Sequence, residues 1–456
     1  MRVAYHSPLP PEASGIADYS ALLLPALRGR IPVSVAHRRR PLFRRTHVAL
    51  YHIGNDPGAH GWIVKALRRR PGVVVLHDFV LHHLVAGMTL GRGDAAGYLA
   101  AMEREAGPSG RLLAQQVVAG EAAPPWETRP EEFPLAGEVL ELASGLIVHS
   151  GYVERLARGA GYSAPVWRIP HPVWPAPEVE PAEVSGSPVY GAFGHVNPSK
   201  RIPQLLQAFR RVLDRRPETR LLLAGAVSPR FELEARIEAL GLEHAVMRTG
   251  YVDGRRLWAL MAACDVVVSL RAPTMGETSG VALRALALGK ALVVSDVGWF
   301  SELPDEVATK VPVDEREVDA LAAALEELGS NESARGSMGE AGRDYVRREH
   351  DLERVAGKYA SALEWAAGGE AVTDAVLEEI AQAAADVAVG ADSPELLEIA
   401  SAVRDSDIVV LASPARRWQG TQATGAPHST QYGQAPRAQH PAASGARPPR
   451  RPASPG

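Results

Sequence analysis

The chain has 456 residues, of which 46% are hydrophobic and 22% charged, and its net charge is −4. Such a length allows two or three domains and excludes a single small binding module, while the composition is that of a soluble globular protein with no apolar stretch near the roughly 20 residues of a spanning helix. The charge divides unevenly, −1 over residues 1–369, −9 over 370–412 and +6 over 413–456; a nucleic-acid binder carries its basic footprint on a folded face, so no nucleic acid is expected as a partner.

The chain opens Met1-Arg2-Val3-Ala4-Tyr5, without the charged leader and apolar segment of a signal peptide, and its single cysteine, Cys264, has no intrachain partner for a disulfide. The expected location is the cytoplasm. Apolar runs predict strands at Val3 to Tyr5, Val33 to Ala36, Val48 to Ile53, Val73 to Leu76 and Leu146 to His149, with longer amphipathic stretches between them. Runs such as Val73-Val74-Val75-Leu76 do not alternate, which predicts parallel strands covered on both faces. Ligands of such sheets bind beyond the carboxyl ends of the strands, so chemistry is sought in the loops Ser7 to Gly15, Gly54-Asn55-Asp56, His77-Asp78 and His149-Ser150-Gly151. The basic runs Arg38-Arg39-Arg40, Arg44-Arg45 and Arg68-Arg69-Arg70 could draw this half of the chain to anionic lipid or be solvated faces.

A Pro-rich stretch at 172–188 reads as a linker. A second α/β series follows, with strands predicted at Val189 to Phe193, Leu221 to Ala224, Val246 to Gly250, Val266 to Leu270, Ala291 to Ser295 and Thr309 to Val311, and helices at Ile202 to Arg215 and Ser279 to Leu288. The fold class is therefore α/β, two Rossmann-like parallel-sheet domains (1–171 and 189–340) facing across a cleft. Residues Asn331 to Trp365 predict a long helix whose end, 341–369, crosses back to the first domain. An acidic helical extension (370–412) and a disordered basic tail (413–456) complete the chain.

Two loops carry most of the chemistry. Gly191-Ala192-Phe193-Gly194-His195 runs to Lys200-Arg201 after a strand and before a helix; bare glycines, a helix start and a lysine together suit a diphosphate. The alternative is an exposed turn with a surface Lys-Arg pair. In Gly276-Glu277-Thr278-Ser279-Gly280, Glu277 can accept from vicinal hydroxyls while the following N–H groups stand at a helix start. Hydroxyls beside phosphate are the signature of a nucleotide-sugar, whereas the plain alternative is a helix cap at Thr278 or Ser279. His77 ends a strand, where a neutral imidazole could bond a hydroxyl or anchor its own loop to Asp78. His149 and His171 read as structural wall residues. Asp405-Ser406-Asp407 fits a metal-binding string but lies in the acidic extension, and no metal is assigned.

The order Gly194 to Lys200, Gly250-Tyr251-Val252, Gly276 to Gly289 and Asp296 to Leu303-Pro304 resembles the C-terminal half of retaining family 4 glycosyltransferases of the GT-B fold. Ser14-Gly15-Ile16-Ala17-Asp18-Tyr19, Val75-Leu76-His77-Asp78 and Ile169-Pro170-His171-Pro172 agree with the N-terminal half, over about residues 1–366. The resemblance implies a cytoplasmic transferase that uses a nucleoside-diphosphate-sugar as co-substrate, holds no tightly bound cofactor, retains anomeric configuration and glycosylates a saccharide, lipid-linked saccharide or small acceptor. It implies catalytic roles for His77, Lys200 and Glu277, and donor contacts from Gly15, Gly194, His195, Lys200, Gly250, Tyr251, Glu277, Thr278, Ser279 and Gly280. Asp18, Tyr19 and Asp78 fall on the acceptor side. Two positions depart from the family: the arginine that usually follows the glycine is His195, and the second motif glutamate, which grips ribose, aligns with Arg284. A nucleotide-sugar epimerase, which would need a carboxylate pair in the cleft, and a non-catalytic sugar-nucleotide-binding protein remain as alternatives.

Overall fold

The structure is a computed structural model that describes residues 1–12, 14–38, 46–368 and 393–394. Arg39, Arg40, Arg44, Arg45, the Asp405-Ser406-Asp407 string, almost all of the acidic extension and the whole basic tail lie outside the described residues.

Two six-stranded sheets are built from parallel pairs throughout. The first contains β1 (Val3–His6), β2 (Val33–Val35), β3 (Val48–Ile53), β4 (Gly72–Leu76), β5 (Ala143–Val148) and β6 (Val166–Arg168), in the order β2-β1-β3-β4-β5-β6. The second contains β7 (Val189–Phe193), β8 (Arg220–Ala224), β9 (Val246–Gly250), β10 (Val266–Ser269), β11 (Ala291–Ser295) and β12 (Thr309–Val311), in the order β12-β11-β10-β7-β8-β9. Every residue of β3, β4, β7 and β11 is buried, because helices cover both faces; this is why these strands read as unbroken apolar runs. Each strand order reverses once, between β1 and β3 in the first sheet and between β7 and β10 in the second. Loops leaving neighbouring strands at such a point diverge to opposite faces and open a crevice. The loops after β1, β3, β7 and β10 are therefore the ones placed to hold a ligand.

The long helix expected over 331–365 is two. Glu332–Glu349 packs through Val346 on the second domain, and helical residues 352–368 lay Val355, Tyr359 and Leu363 into the core of the first. The break falls where Asp351 offers its side chain to the Arg354 N–H at 2.8 Å, an N-cap that starts a new helix. There His350 gives its carbonyl to Val173 N–H at 2.9 Å and its Nδ1–H to the His171 carbonyl at 2.7 Å. The linker and the chain's return thus cross at one hydrogen-bonded point.

Further contacts join the domains, among them a hydrogen bond from Thr274 N–H to Glu131 Oε1 at 3.1 Å. Met275 O accepts from Phe79 N–H and Val80 N–H at 2.7 and 3.0 Å, and the Glu302 carboxylate caps the helix Gly151–Gly159 through Gly151 N–H at 3.0 Å and Tyr152 N–H. A carboxylate at a helix start is favoured by both the free N–H groups and the dipole. Of the four described arginines in the basic runs, three are committed within the first domain: Arg68 pairs with Glu138 at 2.5 Å, Arg70 donates to the Thr46 and His47 carbonyls, and Arg38 pairs with Glu12 at 2.7 Å. No described helix is long and apolar enough to cross a membrane. Cys264 is buried, its Sγ 3.3 Å from Leu260 O, and burial pushes its thiol up to about 12.

Candidate functional site

A cavity of about 320 Å³ lies between the two sheets, lined from the first domain by Ser14, Gly15, Asp18, Asn55, His77, Asp78, His149 and His171, and from the second by Glu277, Thr278, Gly280 and Arg284, with Trp174 of the linker. It joins the switch-point loop after β1 to the one after β10. Two helices start on it, Gly15–Arg28 and Gly280–Ala287, one from each domain. A Cβ added at Gly15 would meet no atom within 4 Å, so this helix start faces open space.

The first-domain wall is a cluster of neutral histidines. Burial, followed by the neighbouring His149, His52 and His171, holds His77 well below the usual imidazole range. Its Nε2 shares a hydrogen bond with His52 Nδ1 at 3.0 Å, and its ring meets the edge of Tyr19 with centroids 4.7 Å apart. His149 and His171 each donate Nδ1–H to a backbone carbonyl, Ile169 at 2.8 Å and Pro172 at 2.7 Å. That fixes the tautomer and leaves each Nε2 a bare acceptor; His149 Nε2 is buried without a partner. Tyr19, expected on the acceptor side, lines the cavity as a buried ring whose hydroxyl is bonded to that of Tyr359 at 2.7 Å. Asp18, on the same helix and also lining the cavity, is exposed.

Asp78 is held through Oδ2 by Asn55 N–H at 2.8 Å, and burial together with the charge of Glu277 pushes its carboxyl up to about 7. Glu277 behaves oppositely. Burial alone would raise it, but Arg271 at 2.7 Å, backbone N–H groups including that of Met275 at 2.7 Å, and Lys200 hold it below the ordinary carboxylate value. Thr274 Oγ1 donates to the same carboxylate at 3.1 Å, so Glu277 both lines the cavity and ties its own loop together. Ser279 is the N-cap of Gly280–Ala287, its Oγ accepting from Ala282 N–H at 3.2 Å; the capping alternative thus holds for Ser279. Thr278 Oγ1, by contrast, is buried without a partner.

Lys200 stands behind this loop. Ala272 N–H donates to Ser199 O at 2.9 Å, joining the loops after β7 and β10. Burial first, then the Arg271 charge, brings the Lys200 ammonium down to about 7, with Glu277 opposing. Gly194 turns the backbone beside it at a φ of +92°, a conformation that favours glycine. Arg201 is structural, bound through Nε to the buried Glu317 at 2.8 Å. His195 is exposed and, with Gly194 and Lys200, borders a separate small cavity. Gly250 and Tyr251 lie outside the lining of the cleft cavity, and Tyr251 is 79% exposed. His52, Asn55, Arg271 and Trp174 were not assigned roles from sequence; His52 hides inside an apolar strand and Trp174 inside a Pro-rich linker.

This architecture, two Rossmann-like domains with ligand loops meeting across a cleft, is the GT-B fold. Sucrose-phosphate synthase from Thermosynechococcus elongatus superposes on 80% of this chain and 98% of its own, with a TM-score of 0.56 at 17% identity. Anabaena HepE, determined in complex with UDP and glucose, covers 80% and 99% with a TM-score of 0.54 at 17% identity. Residues 178–345 match the family model described as glycosyl transferases group 1. An uncharacterized glycosyltransferase of Methanocaldococcus jannaschii is 34% identical over 130 residues, 28% of this chain and 32% of the relative, so the chain spans about a third of that relative's length. Residues 178–345 are thus similar to group 1 glycosyltransferases, within a chain whose fold is GT-B.

Proposed function

We propose that the protein transfers a sugar from a nucleoside-diphosphate-sugar to a hydroxyl of a saccharide, lipid-linked saccharide or small acceptor in the cytoplasm, with retention and without a metal. The observation that carries this reading is the cleft cavity faced by a helix start from each domain and lined by Glu277, with Arg271 paired to that carboxylate and Lys200 behind its loop. Such a site suits a ligand that has a dianionic bridge between a sugar and a base. The neutral histidine wall supplies acceptors for sugar hydroxyls. Gly250 and the exposed Tyr251 would receive the base.

In the transfer, the bond from the anomeric carbon to the diphosphate oxygen breaks, the bond to the acceptor oxygen forms on the same face, and the acceptor's proton passes to the departing phosphate. Positive charge placed in advance where the phosphate charge grows is the main contribution of the protein. The decisive experiment is thermal stabilisation by nucleoside diphosphates and their sugars, followed by turnover over an acceptor panel. A ligand at 100 times its Kd should add about 2.7 kcal/mol, and the reading fails if no nucleotide shifts the melting temperature. Binding without turnover on any acceptor would favour the non-catalytic alternative.

One observation keeps the epimerase reading in view. Asp78 and Glu277 line the same cavity in opposite protonation tendencies, the carboxylate pair such chemistry needs. Incubation of donor alone separates the two, since an epimerase converts it to an isomer visible by NMR and a transferase yields at most slow hydrolysis.

Gly15 gives a sharper test of the cavity. Gly15→Val adds a side chain into open space, so stability should change by no more than about 0.5 kcal/mol, while kcat/KM should fall at least tenfold because the ligand's place at the helix start is taken. Unchanged kcat/KM would remove this helix from the site.

A further inference from the structure

Arg284 is the unexplained cation of the cleft. It sits in the last turn of Gly280–Ala287, but its side chain folds back toward that helix's start, with Nη1 donating to Gly280 O at 3.2 Å. Its guanidinium carbon lies 3.6 Å over the Trp174 ring, and a Cβ at Gly280 would stand 3.3 Å from Nη1 and 3.4 Å from the indole, so the bare glycine makes room for this stack. The position is unfavourable for a lone cation. A helix start is already positive, and burial lowers the guanidinium to about 10. No acidic side chain among the described residues lies within ion-pairing distance of it; Asp18 acts on it only from further off. Four of its five N–H donors have no described protein acceptor, and Thr278 Oγ1, another group of this cavity, is buried without a partner. Arg271, on the loop that leads to this helix, is already neutralised by Glu277 at 2.7 Å.

We propose that Arg284, stacked on Trp174 at the start of Gly280–Ala287, is a positioning residue that clamps the diphosphate of the donor, supplying the cation that the exposed His195 does not. This rests on the transferase reading and adds to it a contact from a position where the family resemblance places a carboxylate for ribose. A guanidinium held flat on an indole keeps its fork of donors pre-set for two phosphate oxygens, which a lysine at the same place would meet only as a point charge.

The test is calorimetric titration of the full chain with inorganic pyrophosphate, with UDP, GDP, ADP and dTDP, and with the corresponding nucleosides. Arg284→Met should weaken pyrophosphate and the preferred nucleoside diphosphate at least tenfold, about 1.4 kcal/mol, and leave the nucleoside unchanged. Arg284→Lys should recover part of the loss, and Arg69→Gln, an exposed charge control, none of the effect. An equal loss for nucleoside and diphosphate would assign Arg284 to the ribose and overturn the proposal, as would wild-type pyrophosphate binding in Arg284→Met, the result expected of an arginine that serves an anionic acceptor. If the methionine variant does not fold, the lysine variant decides: pyrophosphate affinity at or above wild type overturns the proposal. Wild-type protein that binds neither pyrophosphate nor any nucleoside diphosphate would sink the transferase reading itself, whereas wild-type binding and turnover with no effect of the variants would sink only the role of Arg284.

Discussion

Glu277→Ala is expected to destabilise the ligand-free protein by about 3 kcal/mol at neutral pH, because removing one member of a buried ion pair strands the other. The side chain accepts from Met275 N–H and Thr274 Oγ1 and pairs with Arg271, in a loop whose Met275 carbonyl also holds Phe79 and Val80 of the first domain. Its loss leaves Arg271 and the Lys200 ammonium facing each other without an anion between them. The sign with pH follows from the depressed value of Glu277: its stabilisation is present above the ordinary carboxylate pKa and is lost as pH falls through the lower folded value. The gap between wild type and Glu277→Ala in denaturant titrations should therefore narrow in acid. Arg271→Met in the alanine background should restore part of the stability, since it removes a stranded cation, yet restore no turnover. Wild-type stability in Glu277→Ala would mean that the Met275 contacts alone hold the loop.

Glu277 also shows what a sequence can and cannot deliver. Its place after an apolar run and before a helix is legible because strands buried on both faces are unbroken runs of Val, Leu and Ala, and ten of the twelve strands here both begin and end within two residues of where those runs place them. The apolar run Leu146 to His149 marks β5 but not its start, which lies at Ala143. β6, three half-exposed residues at a sheet edge, has no such signature and was missed. The break at His350 is hidden for a different reason: the apolar spacing runs on from Tyr345 to Leu363, and only the capping geometry of Asp351 divides it. Strand order is not local information, so the switch points that select the loops after β1, β3, β7 and β10 had to come from the structure. The same limit hides the bond that Tyr19, one helical turn beyond Gly15, makes to Tyr359, 340 residues on. Arg284 was visible as an oddity in sequence, but its meaning depends on Trp174, a linker residue that no periodicity places.

Lys200→Met should produce the largest loss of turnover, about a hundredfold to a thousandfold, the scale on which removing one pre-set charge donor acts. The same substitution should make the ligand-free protein more stable. Burial and Arg271 bring the Lys200 ammonium down to about 7, so its charged form is disfavoured by folding. The sign is that of a base with a depressed folded value: the destabilisation is fully present below about pH 7, declines as pH rises from there toward the unfolded lysine value, and is absent above it. At pH 6 the methionine variant should therefore gain stability on the order of 2 kcal/mol, and at pH 10 little or nothing. A bound diphosphate reverses the balance by favouring the charged amine, so wild-type binding should take up a proton above pH 7 and weaken as pH rises, up to about tenfold per unit. Asp78, near 7 as well, gains its negative charge over the same range and acts in the same direction. The two are separable: Lys200→Met should retain only the share due to Asp78, and adding Asp78→Asn should flatten the profile. Titrations in buffers of different ionisation enthalpy count the proton directly, and no uptake in the wild type at pH 8 would mean that Lys200 is not the group that meets the phosphate.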